Sequence, residues 1–145
     1  MNESTAVLQA CVDRYLQAME RLTAGLRPGD GILGFGNDPK RSPYHMDFYR
    51  EVGQAAELLA GEGRGAQEAG EAVEFLLTMG QHQGDGLTRP MLEAAQGHAR
   101  VLIPLLAPER AGELARQYAA CYPRRRRLPV QSQVLAALEK RSLGR

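Results

Sequence analysis

The chain has 145 residues, with 18 basic and 17 acidic side chains, 16 glycines, 8 prolines, 2 cysteines and no tryptophan. That length suits one domain over residues 1–145, which at this size buries about 68 to 70% of its unfolded surface and needs no disulfide or metal to hold a core. The longest apolar run, Val101 to Ala107, is only seven residues and contains Pro104, so no stretch reads as a helix that spans a bilayer.

The first predicted helix covers about Ser4 to Leu26. Leu8, Val12, Tyr15, Met19, Leu22 and Leu26 alternate at spacings of four and three, a heptad stripe that fits a bundle core or a dimer seam. Because several more amphipathic helices follow, the bundle core is the expectation. Asn2, Ser4 and Thr5 are candidate caps, and Gly25, Pro28 and Gly29 stop the helix.

Residues 27–44, RPGDGILGFGNDPKRSPY, carry no helical period. Connections this long are either disordered or kept for a purpose. Ile32, Leu33 and Phe35 lie among Gly29, Gly31, Gly34 and Gly36, so the segment reads as a compact loop whose apolar tip, anchored by Phe35, docks on the bundle.

A second helix begins at Ser42 and Pro43 and buries Phe48, Val52, Ala55 and Leu59, with Tyr49, Ala56 and Leu58 beside the stripe. Gly61, Gly63 and Gly65 end it. A third runs from about Ala66 to Gln81, with Ala66, Ala69, Val73, Leu76, Leu77 and Gly80 inward and Glu68, Glu71 and Glu74 outward. The fourth starts near Thr88 and Pro90 and buries Leu92, Ala95, Ala99, Leu102 and Leu106, with Pro104 kinking or ending it. Ala107 and Pro108 open the fifth, whose Ala111, Leu114, Tyr118 and Cys121 face the core. The sixth covers about Pro129 to Arg141 and offers Val130, Val134, Ala137 and Leu138. The fold class is therefore all-α: a single-domain antiparallel bundle of about six helices with one long glycine-rich loop. The first four helices form the bundle, and the last two complete one side.

Cys11 and Cys121 both fall on apolar helix faces and no secretory signal precedes them, which predicts buried free thiols in a reducing cytoplasm. Charge is uneven: residues 1–99 hold 8 basic and 14 acidic groups, and residues 100–145 hold 10 and 3. This asymmetry marks either a basic arm for an acidic partner or two halves that attract each other in the fold.

Several constellations invite chemistry. Gly34, Gly36, Lys40, Arg41 and Ser42 would place glycine amides, two cations and a helix start around an anion. The phosphate-loop pattern fails, however, because Asn37 and Asp38 follow Gly31 to Gly36, and the dinucleotide pattern fails at Pro39. His45, His82 and His98 are candidate metal ligands, but they show neither the HExxH nor the ExxH spacing. No motif activates Cys11, Cys121 or Ser42 as a nucleophile. Arg124, Arg125, Arg126 and Arg127 are a candidate phosphate contact; the alternative is a helix-end cluster that complements the dipole, can pair with glutamates of the second and third helices, and remains solvated.

GFGNDPKRSPYHMDF in the first connection, paired with YPRRRRLPVQ in the last, resembles a type of small bacterial helical protein of unknown function. The resemblance implies a helical fold over most of the chain and brings no catalytic motif or cofactor. The expected function is thus a cytoplasmic interaction or scaffold protein without catalysis, meeting an unknown protein partner or a second copy of itself. The alternative is a small-ligand or anion binder, with catalysis left open, that uses residues 29–42. Nucleic-acid binding through Arg124 to Arg127 is third, disfavoured by near-neutral charge and the lack of a recognition helix.

Overall fold

The computed structural model describes residues 3–24, 43–62, 65–78 and 89–144. Among them it places six α-helices: α1 (Glu3–Ala24), α2 (Pro43–Gly61), α3 (Ala66–Thr78), α4 (Arg89–His98), α5 (Pro108–Cys121) and α6 (Pro129–Ser142). Single 3-10 turns occur at Ala99–Val101, Ile103–Leu105 and Arg124–Arg126. No strand occurs among the described residues, so the all-helical bundle read from the apolar periodicity is the observed architecture.

α1 packs on α2 and α3, and α4 closes the ring by packing on the same two helices. α5 and α6 form a hairpin that lies against α3 and α4. Gln96 meets the Leu77 carbonyl while Leu106 meets Gly70, so the chain through α4 runs antiparallel to α3. Gly112 lies beside Ser142, and Arg127 reaches back to Tyr122, which sets α6 antiparallel to α5.

The stripe of α1 is buried at Leu8, Val12 and Tyr15, and that of α2 at Phe48, Val52 and Leu59. The Tyr15 and Phe48 rings meet at 5.1 Å, and the Arg14–Glu51 ion pair joins the same helices at their surface. Ser4 and Thr5 lie inside α1 rather than capping it. The Ser4 amide and hydroxyl both donate to Glu68, so a carboxylate from α3 serves the positive end of α1.

α4 is the central element because α2, α3 and α6 all pack on it. A helix enclosed on three sides needs small side chains for close approach, and its second half reads Glu-Ala-Ala-Gln-Gly-His. The two glycines in contact here serve different neighbours: Gly97 faces Val130 of α6, and Gly53 of α2 faces the His98 imidazole.

Several sequence expectations need correction. Of the two outcomes expected at Pro104, the helix ends rather than kinks, and it does so already at His98; Leu102, Leu105 and Leu106 donate three residues back, since Pro104 lacks an N–H and its ring would strike the carbonyl four residues earlier in an α-helix. Leu102 and Leu106 are buried all the same. Ala66 is exposed at the first turn of α3, and Glu68 is half-buried against Ser4 instead of solvated. Tyr49 and Leu58 are exposed, whereas Ala56 is fully buried. Cys11 is a buried free thiol as expected, but Cys121 is exposed: it lies on the last residue of α5, where the core ends although the period continues. The Met19, Leu22 and Leu26 side chains, Gly80, and the 27–42 loop with its Phe35 anchor lie outside the described residues.

Attraction between the two oppositely charged halves is visible among the described residues at Arg110. Arg110 of α5 pairs with Glu74 of α3 and with Glu113 on its own helix. Exposed pairs of this kind contribute about 0.2 to 1 kcal/mol each, so they orient α5 more than they stabilise it.

Candidate functional site

α3 and α5 pack side by side, and a pocket of about 110 Å³ lies between them. Leu77, Leu114, Tyr118 and Tyr122 supply apolar surface, Glu74 and Gln117 edge it, and Thr78 and Cys121 complete the lining. Leu77, Leu114 and Tyr118 are buried, while Cys121 is exposed at the rim.

A polar side chain behind this wall fixes its shape. Gln96 is 0% exposed, and its Nε2 lies 3.1 Å from the Leu77 carbonyl and 2.8 Å from the Tyr122 hydroxyl. Its Oε1 lies 3.1 Å from the Tyr118 hydroxyl. A carbonyl only accepts, so the atom facing Leu77 must be the amide nitrogen, and the rest of the network follows. Nε2 donates to the Leu77 carbonyl and to the Tyr122 oxygen, and Tyr118 donates to Oε1. Tyr122 accepts from Gln96 and keeps its own O–H proton.

The two tyrosine rings stand 4.8 Å apart, tilted by 51°, an arrangement in which ring edges and faces attract. Burial pushes both hydroxyls above their ordinary value of 10.0, so both remain protonated donors at neutral pH. Arg127 fastens the end of this wall: its Nε and Nη2 donate to the Tyr122 carbonyl at 3.1 and 2.9 Å, satisfying an acceptor at the C-terminus of α5 with a cation suited to the dipole.

Arg127 is therefore a helix-end clamp and is separated in role from the rest of its run. Arg124, Arg125 and Arg126 form an exposed 3-10 turn, and no ion pair to a glutamate of α2 or α3 holds them among the described residues. The expected pairing with those glutamates is thus corrected for this turn. A helix-end role holds for Arg127 alone.

His98 is the described member of the histidine set. Its ring rests on Tyr49 at 4.4 Å and against the backbone of Gly53. Burial lowers its pKa below the ordinary 6.5, opposed by a hydrogen bond to the Tyr49 backbone and by the Glu57 charge. Nε2 is buried without a hydrogen-bond partner. Among the described residues no group of three or more His, Cys, Asp or Glu is placed to hold a metal. The side chain of His45 lies outside the described residues. So do His82 and the proposed anion cradle of Gly34, Gly36, Lys40, Arg41 and Ser42.

Sequence reasoning missed the Gln96 network. Two signals were available: Gln96 follows Leu92 by one helical turn on an alanine-rich segment, and Tyr118 and Tyr122 are spaced to share a helix face. Among the described residues no helix is long and apolar enough to cross a membrane. Searches against protein-family models, curated proteins and solved structures return no match.

Proposed function

We propose that this chain is a helical protein-interaction module without catalysis of its own, working in the cytoplasm, and that the pocket between α3 and α5 receives one anchoring side chain of a partner. The observation that carries this reading is the size and build of that pocket. Sites for cofactors and metabolites typically enclose about 300 to 1,000 Å³, well above the 110 Å³ found here. An apolar cavity of about 150 Å³ accepts a benzene ring, so a single aliphatic or small aromatic side chain suits the space. Interaction energy concentrates where such an anchor fills a rigid, desolvated pocket with aromatic walls. The tyrosines locked by Gln96 and Arg127 supply that rigidity. Two free thiols, one of them exposed, agree with a reducing compartment.

Cys121 provides the test. It is exposed on the rim, whereas Cys11 is 4% exposed and burial raises its thiol above the ordinary 9.0; N-ethylmaleimide should therefore cap Cys121 selectively. Peptides selected on the uncapped protein from a random phage-displayed library should lose at least about tenfold in affinity for the capped protein, because the anchor's place is taken. Equal affinity for both forms would refute the pocket as the binding site.

A further inference from the structure

We infer that the partner segment is acidic, with carboxylates flanking its apolar anchor, and that the Arg124–Arg126 turn is the complementary surface; this rests on the pocket reading above. The turn begins two residues beyond Tyr122, the last pocket residue in the chain. Pocket and cations therefore share one end of the molecule.

The arginines whose side chains are described divide into two groups, and Arg116 of α5, exposed and without an ion pair among the described residues, falls with the second. Arg14, Arg50 and Arg110 form ion pairs with carboxylates of the same chain. Arg100 donates to Gln133, Arg127 to the Tyr122 carbonyl and Arg141 to the Leu106 carbonyl. Arg124, Arg125 and Arg126 have no such partner among the described residues and are all exposed. Three adjacent guanidinium groups on one tight turn repel each other, and no carboxylate among the described residues pairs with them. An external polyanion would offset that repulsion.

The negative groups near the pocket do not cancel this field. Glu74 and Glu113 share the single Arg110 guanidinium, which leaves one net negative charge there against three cations, and Gln117 on the same edge is uncharged. Glu93, whose charge reaches the Tyr122 hydroxyl, is half-buried on α4.

The same features argue against nucleic acid. Stacked base recognition needs open ring faces, and Tyr118 is 4% exposed with its ring packed on Tyr122. Three neighbouring cations also make a short track for a phosphate backbone, whose affinity grows with the number of phosphates neutralised.

The experiment uses peptides selected from a random phage-displayed library on the full-length protein, measured by fluorescence anisotropy against wild type, the Cys121-capped form and the variant carrying Arg124→Gln, Arg125→Gln and Arg126→Gln. The selected sequences should share one large apolar residue with aspartate or glutamate close by. The triple variant should bind them about tenfold more weakly, as should wild type when salt is raised from about 50 to about 500 mM. Circular dichroism should show the variant folded. Peptides that are lost on capping but carry no acidic bias, and bind the triple variant unchanged, would overturn this inference and leave the pocket reading standing. Acidic peptides that depend on the arginines but ignore the cap would overturn both, as would a library that yields no binder. Tighter, arginine-dependent binding of a single-stranded oligonucleotide would overturn the acidic segment in favour of nucleic acid.

Discussion

Replacing Gly53 with alanine tests how α2 and α4 are joined. A Cβ at this position would lie 2.7 Å from Cε1 of His98, 3.1 Å from Nδ1 and 3.2 Å from Nε2. The imidazole must then move, which disturbs its 4.4 Å contact with Tyr49 and its hydrogen bond to the Tyr49 backbone. Losing the ring contact costs about 0.5 to 1.5 kcal/mol. Losing the hydrogen bond costs about as much again. Alanine inside a helix returns about 1 kcal/mol relative to glycine, so the net effect is a destabilisation of roughly 1 kcal/mol, or about 2 to 4 °C in Tm for a chain of this size. Gly61 is the control. It ends the same helix, has no positive φ, and an added Cβ would meet nothing within 4 Å, so Gly61→Ala should stabilise by a few tenths to about 1 kcal/mol. Urea denaturation of both variants, repeated in a His98→Ala background, completes the cycle. With the ring removed, Gly53→Ala should become neutral or stabilising. If Gly53→Ala stabilises as much as Gly61→Ala, or keeps its penalty without His98, the close approach is not what selects glycine there.

Gln96→Leu should cost about 2 to 4 kcal/mol in denaturant unfolding, since it strands the Leu77 carbonyl and the Tyr118 hydroxyl in the interior; a neutral result would mean that water or a rearranged neighbour replaces the amide. Arg127→Gln should cost about 1 to 3 kcal/mol through the lost charged bonds to the Tyr122 carbonyl, whereas Arg125→Gln with Arg126→Gln should change stability by less than about 1 kcal/mol; equal losses would erase the division of the run into clamp and surface. Stability should also fall as pH drops below 6.5. The folded pKa of His98 lies below that ordinary value, so the unfolded chain takes up the proton first, and the loss continues until the folded pKa is passed. Above 6.5 the ring is neutral in both states and the contribution is complete. His98→Gln, compared with wild type in urea melts from about pH 7.5 to about pH 5, should remove this part of the slope; identical slopes would show that the carboxylates alone set it.

Elements that bury one face were legible in the sequence, and elements that bury several were not. Leu8, Val12 and Tyr15 form a stripe because only one side of α1 meets the core, and the same holds for Phe48, Val52 and Leu59. α4 has neighbours on three sides, so Ala94 is buried off the stripe that Leu92, Ala95 and Ala99 suggested, and Gln96, one turn after Leu92, is buried on it although it is polar. Periodicity also reports a side and never an end. Tyr118 and Cys121 lie on one stripe, yet the core stops between them. The pocket was hidden for a different reason: Gln96 finds its tyrosine partners 22 and 26 positions away in the chain, and only the docking of α5 beside α3 brings them together. The arginine run was visible as a unit in the sequence; that Arg127 turns inward to a carbonyl while its neighbours remain in solvent is a property of the helix end.

Two-dimensional NMR of the labelled full-length protein, titrated with a library-selected acidic peptide, tests the proposed site most directly. Shifts should concentrate on Leu77, Leu114, Tyr118, Tyr122 and the Arg124–Arg126 turn, and should vanish after Cys121 is capped. Shifts centred instead on the exposed Met46 and Tyr49 of α2, and unchanged by the cap, would contradict the proposed site.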